Sequence, residues 1–227
     1  MAVNENTLLP NRHQLYLATS GFGKSQVLKR KGSIPKSGSR IVLWDTNRDH
    51  EFTDTGKRNA YLFTSLSECL RAMERGHNSG KGFRIGYAGD ASPDAFEVFS
   101  HGVWEILDGN KLTYIIVEEY SDCCRNAGPL SQRLDHYHRK LWTQGRKYGA
   151  IIHATSQRPQ MISKDSLGQA GNFYASAMDV DGVTRVAKEM NIKWTELQAC
   201  TPGEFYFREK AKSLHSTKSR IFTPIQQ

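Results

Sequence analysis

A glycine-containing stretch near the start of the chain has the spacing of a phosphate-binding loop. Residues 18–25 read Ala-Thr-Ser-Gly-Phe-Gly-Lys-Ser and lie between an apolar run and a helix-like pattern. In the template G-x-x-x-x-G-K-[ST], backbone N–H groups surround the phosphates at the start of a helix. Lys24 would reach the β- and γ-phosphates, and the Ser25 hydroxyl would bind Mg²⁺. The stretch therefore predicts a site for ATP and Mg²⁺.

The predicted loop departs from the template at one position. Gly21 and Gly23 supply backbone conformations that side chains resist, but Ala18 stands where the first glycine belongs. If that position needed a left-handed backbone, alanine would cost about 1–2 kcal/mol. The alternative is a chance Gly-x-Gly-Lys-Ser turn, against which the flanking strand and helix patterns argue. We expect the whole loop to line the phosphate site: Ala18, Thr19, Ser20, Gly21, Phe22, Gly23, Lys24 and Ser25.

Two consecutive carboxylates follow the strongest strand pattern in the sequence. The run Leu-Thr-Tyr-Ile-Ile-Val over residues 112–117 leads directly into Glu118 and Glu119. Parallel sheets bind ligands at the carboxyl ends of their strands, and alternation points the two acids to opposite sides. We expect Glu118 to serve the Mg²⁺ and Glu119 to be the base that polarises the attacking water. The alternative is that both acids merely solvate the end of a strand.

A second buried strand pattern also ends in polar residues. Residues 150–159 read Ala-Ile-Ile-His-Ala-Thr-Ser-Gln-Arg-Pro. At this strand end, the Gln157 amide can hydrogen-bond the γ-phosphate or the attacking water and report its loss. Pro159 ends the strand and fixes the following loop. The alternative is an ordinary polar turn.

The elements that must position these residues alternate along the chain. Short β-rich runs are separated by helix-like stretches, which predicts an α/β fold with a mostly parallel central sheet and flanking helices. We expect one domain over residues 1–227 and a long basic helix over residues 130–147. Residues 210–227 are predicted to form either a basic tail or a closing hairpin.

Composition indicates an ordinary globular protein with a basic surplus. Of the 227 residues, 38% are hydrophobic, and 31 Lys plus Arg against 23 Asp plus Glu give a formal net charge of +8. The surplus suggests contact with a polyanion. No apolar run approaches the roughly 20 residues of a membrane helix, and residues 1–12 show no secretory signal. The cysteines lack zinc-type spacing and are expected to be reduced thiols: Cys69, Cys123, Cys124 and Cys200.

Together, the three motifs resemble the FtsK–HerA superfamily of DNA-pumping P-loop ATPases. In that family a Gly-Lys-Ser loop, an acidic pair and a Thr-Gln-Arg-Pro strand end occur in this order; here Ser156 separates the threonine from the glutamine. The resemblance covers about residues 15–179. Cellular members of the superfamily carry large added domains for which a chain of 227 residues has no room. The chain therefore looks most like the genome-packaging ATPases of membrane-containing tailless icosahedral phages of tectivirus type. This resemblance implies a RecA-like P-loop NTPase fold of the additional-strand catalytic-glutamate type.

The resemblance also implies a function and partners. It implies ATP-driven packaging of double-stranded DNA into a preformed procapsid, by a ring of six copies at one vertex, next to capsid or membrane proteins. The implied locations are the host cytoplasm and the virion. Such rings place a cationic finger against the γ-phosphate of the neighbouring subunit. Arg146 is our candidate because family members also carry an arginine just before the strand that ends in Gln157 here; the alternatives are Arg133, Arg139 and Arg158.

The sequence leaves two other classes of function open. A monomeric P-loop kinase fits the length, although Gln157 followed by Arg158 and Pro159 suits a motor better than a kinase lid. A basic DNA-binding or assembly factor with an inactive loop fits two departures from the motifs: Ala18 replaces the first glycine, and Glu118 stands where the metal-side residue is usually aspartate. A related DNA-export or conjugation ATPase would share the motifs of a packaging motor.

Overall fold

The structure is a computed structural model and describes residues 1–223. The chain divides into two compact units, each assembled from three segments. The first unit contains Met1–Asn11, Ile34–Glu118 and Leu130–Ile152; the second contains Arg12–Ser33, Glu119–Pro129 and the described residues from His153 on. The expectation of a single domain over residues 1–227 stays a prediction. Residues 224–227, the end of the predicted tail, lie outside the described residues.

Strands and helices alternate along the described residues as the sequence predicts. The strands are β1 (Gln14–Leu17), β2 (Arg40–Trp44), β3 (Tyr61–Phe63), β4 (Phe83–Tyr87), β5 (Thr113–Val117), β6 (Ala150–Ser156), β7 (Asn172–Ala175), β8 (Glu204–Glu209) and β9 (Thr217–Arg220). The α-helices are α1 (Lys24–Lys31), α2 (Leu66–Asn78), α3 (Pro93–Glu105), α4 (His136–Thr143), α5 (Lys164–Gln169), α6 (Val180–Met190) and α7 (Trp194–Gln198). Short 3₁₀ helices cover Tyr120–Cys123, Gly145–Tyr148 and Pro159–Met161.

In the first unit, the strand order is β3-β4-β2-β5 and these pairings are parallel. Both β2 and β5 are buried along their whole length and are rich in the branched and aromatic residues that favour strands. Trp44 packs edge-on against Phe96 and Phe99 of α3, with ring centroids 5.1 and 5.3 Å apart. Because β2 and β5 end in register, Asp45 and Glu118 follow them at the same edge of the strands.

In the second unit, β1 pairs in parallel with the His153–Ser156 part of β6 and with β7. Strands β8 and β9 continue from β7 by antiparallel pairing and form a hairpin, whose second strand lies in the predicted stretch 210–227. Tyr16 stacks on Tyr174 with ring centroids 5.4 Å apart, and its ring lies 6.1 Å from that of His153. The predicted α/β fold with mostly parallel strands is confirmed.

The prediction of one helix over residues 130–147 is wrong. Only α4, with eight residues, is α-helical in this range, and a 3₁₀ helix follows it. Before α4, the Ser131 N–H donates to Asp135 Oδ2 at 3.0 Å, and the Leu134 N–H donates to Ser131 Oγ at 3.1 Å. Short polar side chains of this kind compete with a helix for backbone groups. The local turn therefore replaces the first two turns of the expected helix.

The four cysteines lie in the described residues and are buried, and no disulfide joins any two of them within those residues. Burial raises the pKa of the Cys69 thiol to about 12, so this thiol stays protonated at neutral pH. Among residues 1–223, none of the helices has the length and apolar character needed to cross a membrane.

Candidate functional site

Hydrogen bonds to two neighbouring segments hold the start of the predicted phosphate loop. The Ala18 N–H donates to the Ser156 carbonyl at 3.3 Å, and the Thr19 N–H donates to the Ala177 carbonyl at 2.9 Å. The chain therefore leaves the carboxyl end of β1 in a fixed direction, and α1 begins at Lys24. This order of strand, loop and helix is the structural context that the motif requires.

Glycine occupies the left-handed positions of this loop. Gly21 has a φ of 78° and Gly23 has a φ of 95°, values that other residues adopt at a cost. Ala18 is fully buried, and it is not among the residues of the described chain that have positive φ. The alanine that replaces the first glycine of the template therefore causes no left-handed strain.

The end of the loop is suited to an anion. The buried amino group of Lys24 donates to the Thr19 carbonyl at 3.4 Å, so the side chain bends back across the loop. Ser25 is half-buried in the first turn of α1. That turn contains no acidic residue, and no side chain caps it within the described chain. Its N–H groups and the positive end of the helix dipole are therefore not neutralised by a carboxylate.

The side chains of Glu119 and Gln157 meet in the second unit. The Gln157 side-chain amide donates to Glu119 Oε1 at 2.6 Å. The Glu119 N–H donates to the hydroxyl of Thr155 in β6 at 3.3 Å. Glu119 was predicted as the base and Gln157 as a contact to the γ-phosphate or the attacking water, from two separate strand ends; the hydrogen bond between them was not predicted. A carboxylate held by an amide can accept a proton from a water molecule at the same place.

Glu119 has a strained backbone. Its φ of 48° and ψ of 51° place it in the left-handed region at the start of the 3₁₀ helix Tyr120–Cys123. For a residue other than glycine, this conformation costs roughly 1–2 kcal/mol. The contacts with Thr155 and Gln157 hold the residue in this conformation. Strain of this kind is concentrated at functional sites in proteins, which agrees with a role in catalysis.

Glu118 lies in the first unit and has different contacts. Its Oε1 is 2.6 Å from Nε2 of His50, and both side chains are almost fully buried. Asp45 accepts from the N–H groups of His50 and Asp49 at 2.8 and 2.9 Å, and burial raises the pKa of its carboxyl. His50 was not predicted, because it lies 68 positions from Glu118 and belongs to no motif. The assignment of Glu118 to Mg²⁺ stays a prediction.

The guanidinium of Arg146 binds the N-terminal segment of its own chain. Its Nη1 donates to the Thr7 carbonyl at 3.1 Å and also to the Leu9 carbonyl. The neighbouring Lys147 forms an ion pair with Glu5 at 2.9 Å. In the first unit, Arg146 therefore anchors this segment, and its role as a finger stays a prediction.

Arg185 in α6 joins two backbone segments near Glu119 and Gln157, and it was not among the predicted residues. Its guanidinium donates to the carbonyls of Pro159 and Gln160 at 3.2 and 2.7 Å and to the Ala127 carbonyl at 3.2 Å. It thereby ties the segment after Gln157 to the segment after Glu119. No spacing in the sequence indicates this contact, since it depends on how α6 packs.

The loop, the parallel strands and the strand-end acids define the fold of a P-loop NTPase. No family model matches the chain. Among solved structures, it is similar to the genome packaging NTPase B204 from Sulfolobus turreted icosahedral virus 2 in complex with AMPPCP. The TM-score is 0.65 at 15% identity, with 96% of this chain and 100% of that chain covered. It is also similar to VirB4 of Thermoanaerobacter pseudethanolicus, with a TM-score of 0.61 at 13% identity, covering 93% of this chain and 90% of that chain.

A sequence relative is known from a phage. The chain is 27% identical over 192 residues to Protein P9 of Pseudoalteromonas phage PM2. The aligned region covers 84% of this chain and 80% of that protein. The structural matches establish the shared fold, and the phage relative agrees with the resemblance to viral ATPases found in the motifs.

Proposed function

We propose that the chain is an ATPase that drives double-stranded DNA into a viral procapsid. The observation that carries the proposal is the anion-ready loop on β1 together with the hydrogen-bonded pair of Glu119 and Gln157 in the same unit. Support comes from the similarity to a viral genome packaging NTPase and to a phage protein. The net charge of +8 suits a polyanionic substrate.

The residues of the loop and the strand ends have distinct roles in the proposed hydrolysis. The backbone N–H groups of residues 18–25 and the Lys24 amino group bind the phosphates of ATP. Glu119 takes a proton from the attacking water, whose oxygen bonds to the γ-phosphorus while the bond to the bridging oxygen breaks and ADP leaves. Gln157 orients that water. Because Gln157 already binds Glu119, the base and the orienting amide act as a unit.

The residues available for Mg²⁺ fit that ion. Ser25 of the second unit offers a hydroxyl, and Glu118 of the first unit offers a carboxylate whose Oε1 lies 2.6 Å from His50 Nε2. Mg²⁺ prefers such hard oxygen ligands, in small numbers beside substrate phosphates. The described residues 1–223 contain no group of three or more His, Cys, Asp or Glu that could hold a metal. When bound, the ion supplies charge neutralisation at the β- and γ-phosphates.

The proposed motor works as a ring, of six subunits in the family it resembles. Arg146 is proposed as the finger toward the neighbouring subunit, which requires the carbonyls of Thr7 and Leu9 to release it on assembly. Arg158 is exposed beside Gln157 and is the alternative. The further proposed partners are capsid or membrane proteins at the packaging vertex, with action in the host cytoplasm and the virion.

The proposal is tested by ATP hydrolysis with and without double-stranded DNA, followed by packaging into procapsids. DNA should stimulate hydrolysis, and Lys24→Ala should abolish it while the protein stays folded. DNA protected from nuclease inside procapsids distinguishes packaging from DNA export. An ATP hydrolysis rate that does not change when DNA is added, or phosphorylation of a small acceptor, would contradict the proposal.

A further inference from the structure

The phenyl ring of Phe222 lies directly on the phosphate loop. A Cβ atom built on Gly23 would be only 2.1 Å from Cζ and 2.3 Å from Cε1 of this ring. The ring therefore occupies the space that a side chain at position 23 would take. Gly23 is the last residue before α1, so the aromatic edge sits beside the N–H groups proposed to hold the phosphates.

Hydrogen bonds fix the segment that carries this ring. The Gly203 N–H donates to the Phe22 carbonyl at 3.3 Å, and the Ile221 N–H donates to the Gly203 carbonyl at 2.8 Å. Gly203 has a φ of 86°, and a Cβ there would be 2.1 Å from the Phe222 carbonyl oxygen. The backbone of the C-terminal segment is therefore packed against the phosphate loop at a position that requires glycine.

Arg30 in α1 secures the same segment from the helix. Its Nη1 donates to the Ile221 carbonyl at 3.3 Å, and its Cζ lies 5.8 Å from the centroid of the Phe222 ring. The ring itself stays half-buried, so part of its surface remains accessible. An accessible aromatic surface fixed beside a phosphate site is suited to stack a planar ring attached to those phosphates.

We propose that Phe222 is the stacking platform for the nucleobase of the bound triphosphate, an inference that rests on the proposed function. The nucleoside extends from phosphates held at the start of α1, and its base packs on the phenyl ring. A phenyl ring offers no hydrogen bonds, and stacking tolerates every base because each has a π-face. Phe222 therefore adds affinity for nucleotides while discriminating little between ATP and GTP.

The test compares binding of ATP, GTP and inorganic tripolyphosphate to the full chain by calorimetry. Phe222→Ala and Phe222→Leu should weaken ATP and GTP about 10-fold each, while tripolyphosphate binding stays within two-fold. Leucine keeps the packing but lacks the π-face, so it separates stacking from loss of bulk. Phe222→Tyr should retain affinity, and Ile221→Ala, a neighbour whose backbone makes the hydrogen bonds, is the matched control.

Three outcomes would overturn the inference. Unchanged or tighter ATP binding in Phe222→Ala would mean that the ring only packs on the loop or obstructs it. An equal loss for ATP and tripolyphosphate would mean that the ring supports the backbone of the loop. Full ATP affinity in Phe222→Leu would exclude stacking. Failure of the proposed function gives different results. Wild-type protein would then bind neither ATP nor tripolyphosphate, or Lys24→Ala would bind both as tightly as the wild type.

Discussion

Glu119 combines a strained backbone with two directed hydrogen bonds. Its φ of 48° is unfavourable for glutamate, yet Gln157 holds its carboxylate and Thr155 accepts from its N–H. Strain at one residue persists only when surrounding contacts outweigh it. A general base must keep its carboxylate in one orientation toward the attacking water, and the contacts that hold the strained Glu119 backbone restrict its orientation in this way.

Replacing Glu119 with glutamine should separate nucleotide binding from hydrolysis. The substitution keeps the shape of the side chain and a hydrogen bond to Gln157 but removes the proton acceptor. We expect the rate of ATP hydrolysis to fall about 10²–10⁴-fold. Binding of ATP, measured by calorimetry, should change little.

The matched control for this prediction is Asp122→Asn. Asp122 is exposed and lies on the 3₁₀ helix that follows Glu119, so the same charge is lost nearby. Turnover should be preserved in that variant. Normal turnover in Glu119→Gln would show that another group is the base, and Glu118→Gln would then be the next variant to measure.

Strands and helices whose formation depends on neighbouring residues were predicted correctly from local sequence patterns. The buried run of β5 and the strand–loop–helix order around Lys24 were both read correctly, because periodicity and glycine placement act over a few residues. The prediction of one helix over residues 130–147 was wrong, because the side chains of Ser131 and Asp135 form a competing turn. Periodicity alone does not weigh that competition.

In the candidate site as well, residues of local motifs were predicted from the sequence, whereas long-range contacts were not. The positions of Gly21 and Gly23 followed from the motif, and their left-handed φ values agree with it. The contacts of His50 with Glu118 and of Phe222 with Gly23 join residues far apart in sequence, and neither belongs to a local motif. Such contacts depend on tertiary packing, which one sequence does not reveal.

Strand β6 gives the second unit a predictable dependence on pH. Burial, together with the nearby His13, lowers the pKa of His153 from 6.5 to about 3. The unfolded chain therefore binds a proton below pH 6.5 that the folded chain does not bind. Stability should fall as the pH drops from about 6.5 toward 3. Between pH 7 and pH 4 this one group should cost about 3 kcal/mol.

The measurement is the free energy of unfolding by urea at pH 7 and at pH 4, for wild type and His153→Gln. Other groups titrate in both proteins, so the difference between their pH dependences reports His153. The loss at pH 4 should be smaller in the variant. His215→Gln, which removes an exposed histidine, should behave like the wild type. Equal pH dependence in wild type and His153→Gln would contradict the assignment.

In the proposed ring, neighbouring copies of the chain share active sites. The net charge of +8 suits a substrate that is contacted through its phosphates. A finger that acts on the neighbour makes one subunit's arginine part of the next subunit's site. Two inactive variants with defects in different parts should therefore complement each other.

Mixing Arg146→Ala with Lys24→Ala is the corresponding test. Each variant alone should lose ATP hydrolysis, because one lacks the finger and the other lacks the phosphate-binding lysine. In mixed assemblies, Lys24→Ala subunits supply Arg146 to the intact loops of their neighbours, so part of the activity should return. A mixture of Lys24→Ala and Glu119→Gln should not recover, since both act in the loop's own site. Recovery with Arg158→Ala instead would make Arg158 the finger.

A structure of the chain with a non-hydrolysable ATP analogue and Mg²⁺ tests the proposed ATP site most directly. We expect triphosphate oxygens within hydrogen-bond distance of the N–H groups of residues 21–25 and of the Lys24 amino group. We also expect the Glu119 carboxylate to face the γ-phosphate. An empty loop at saturating analogue, or Glu119 directed away from the phosphates, would contradict the proposed site.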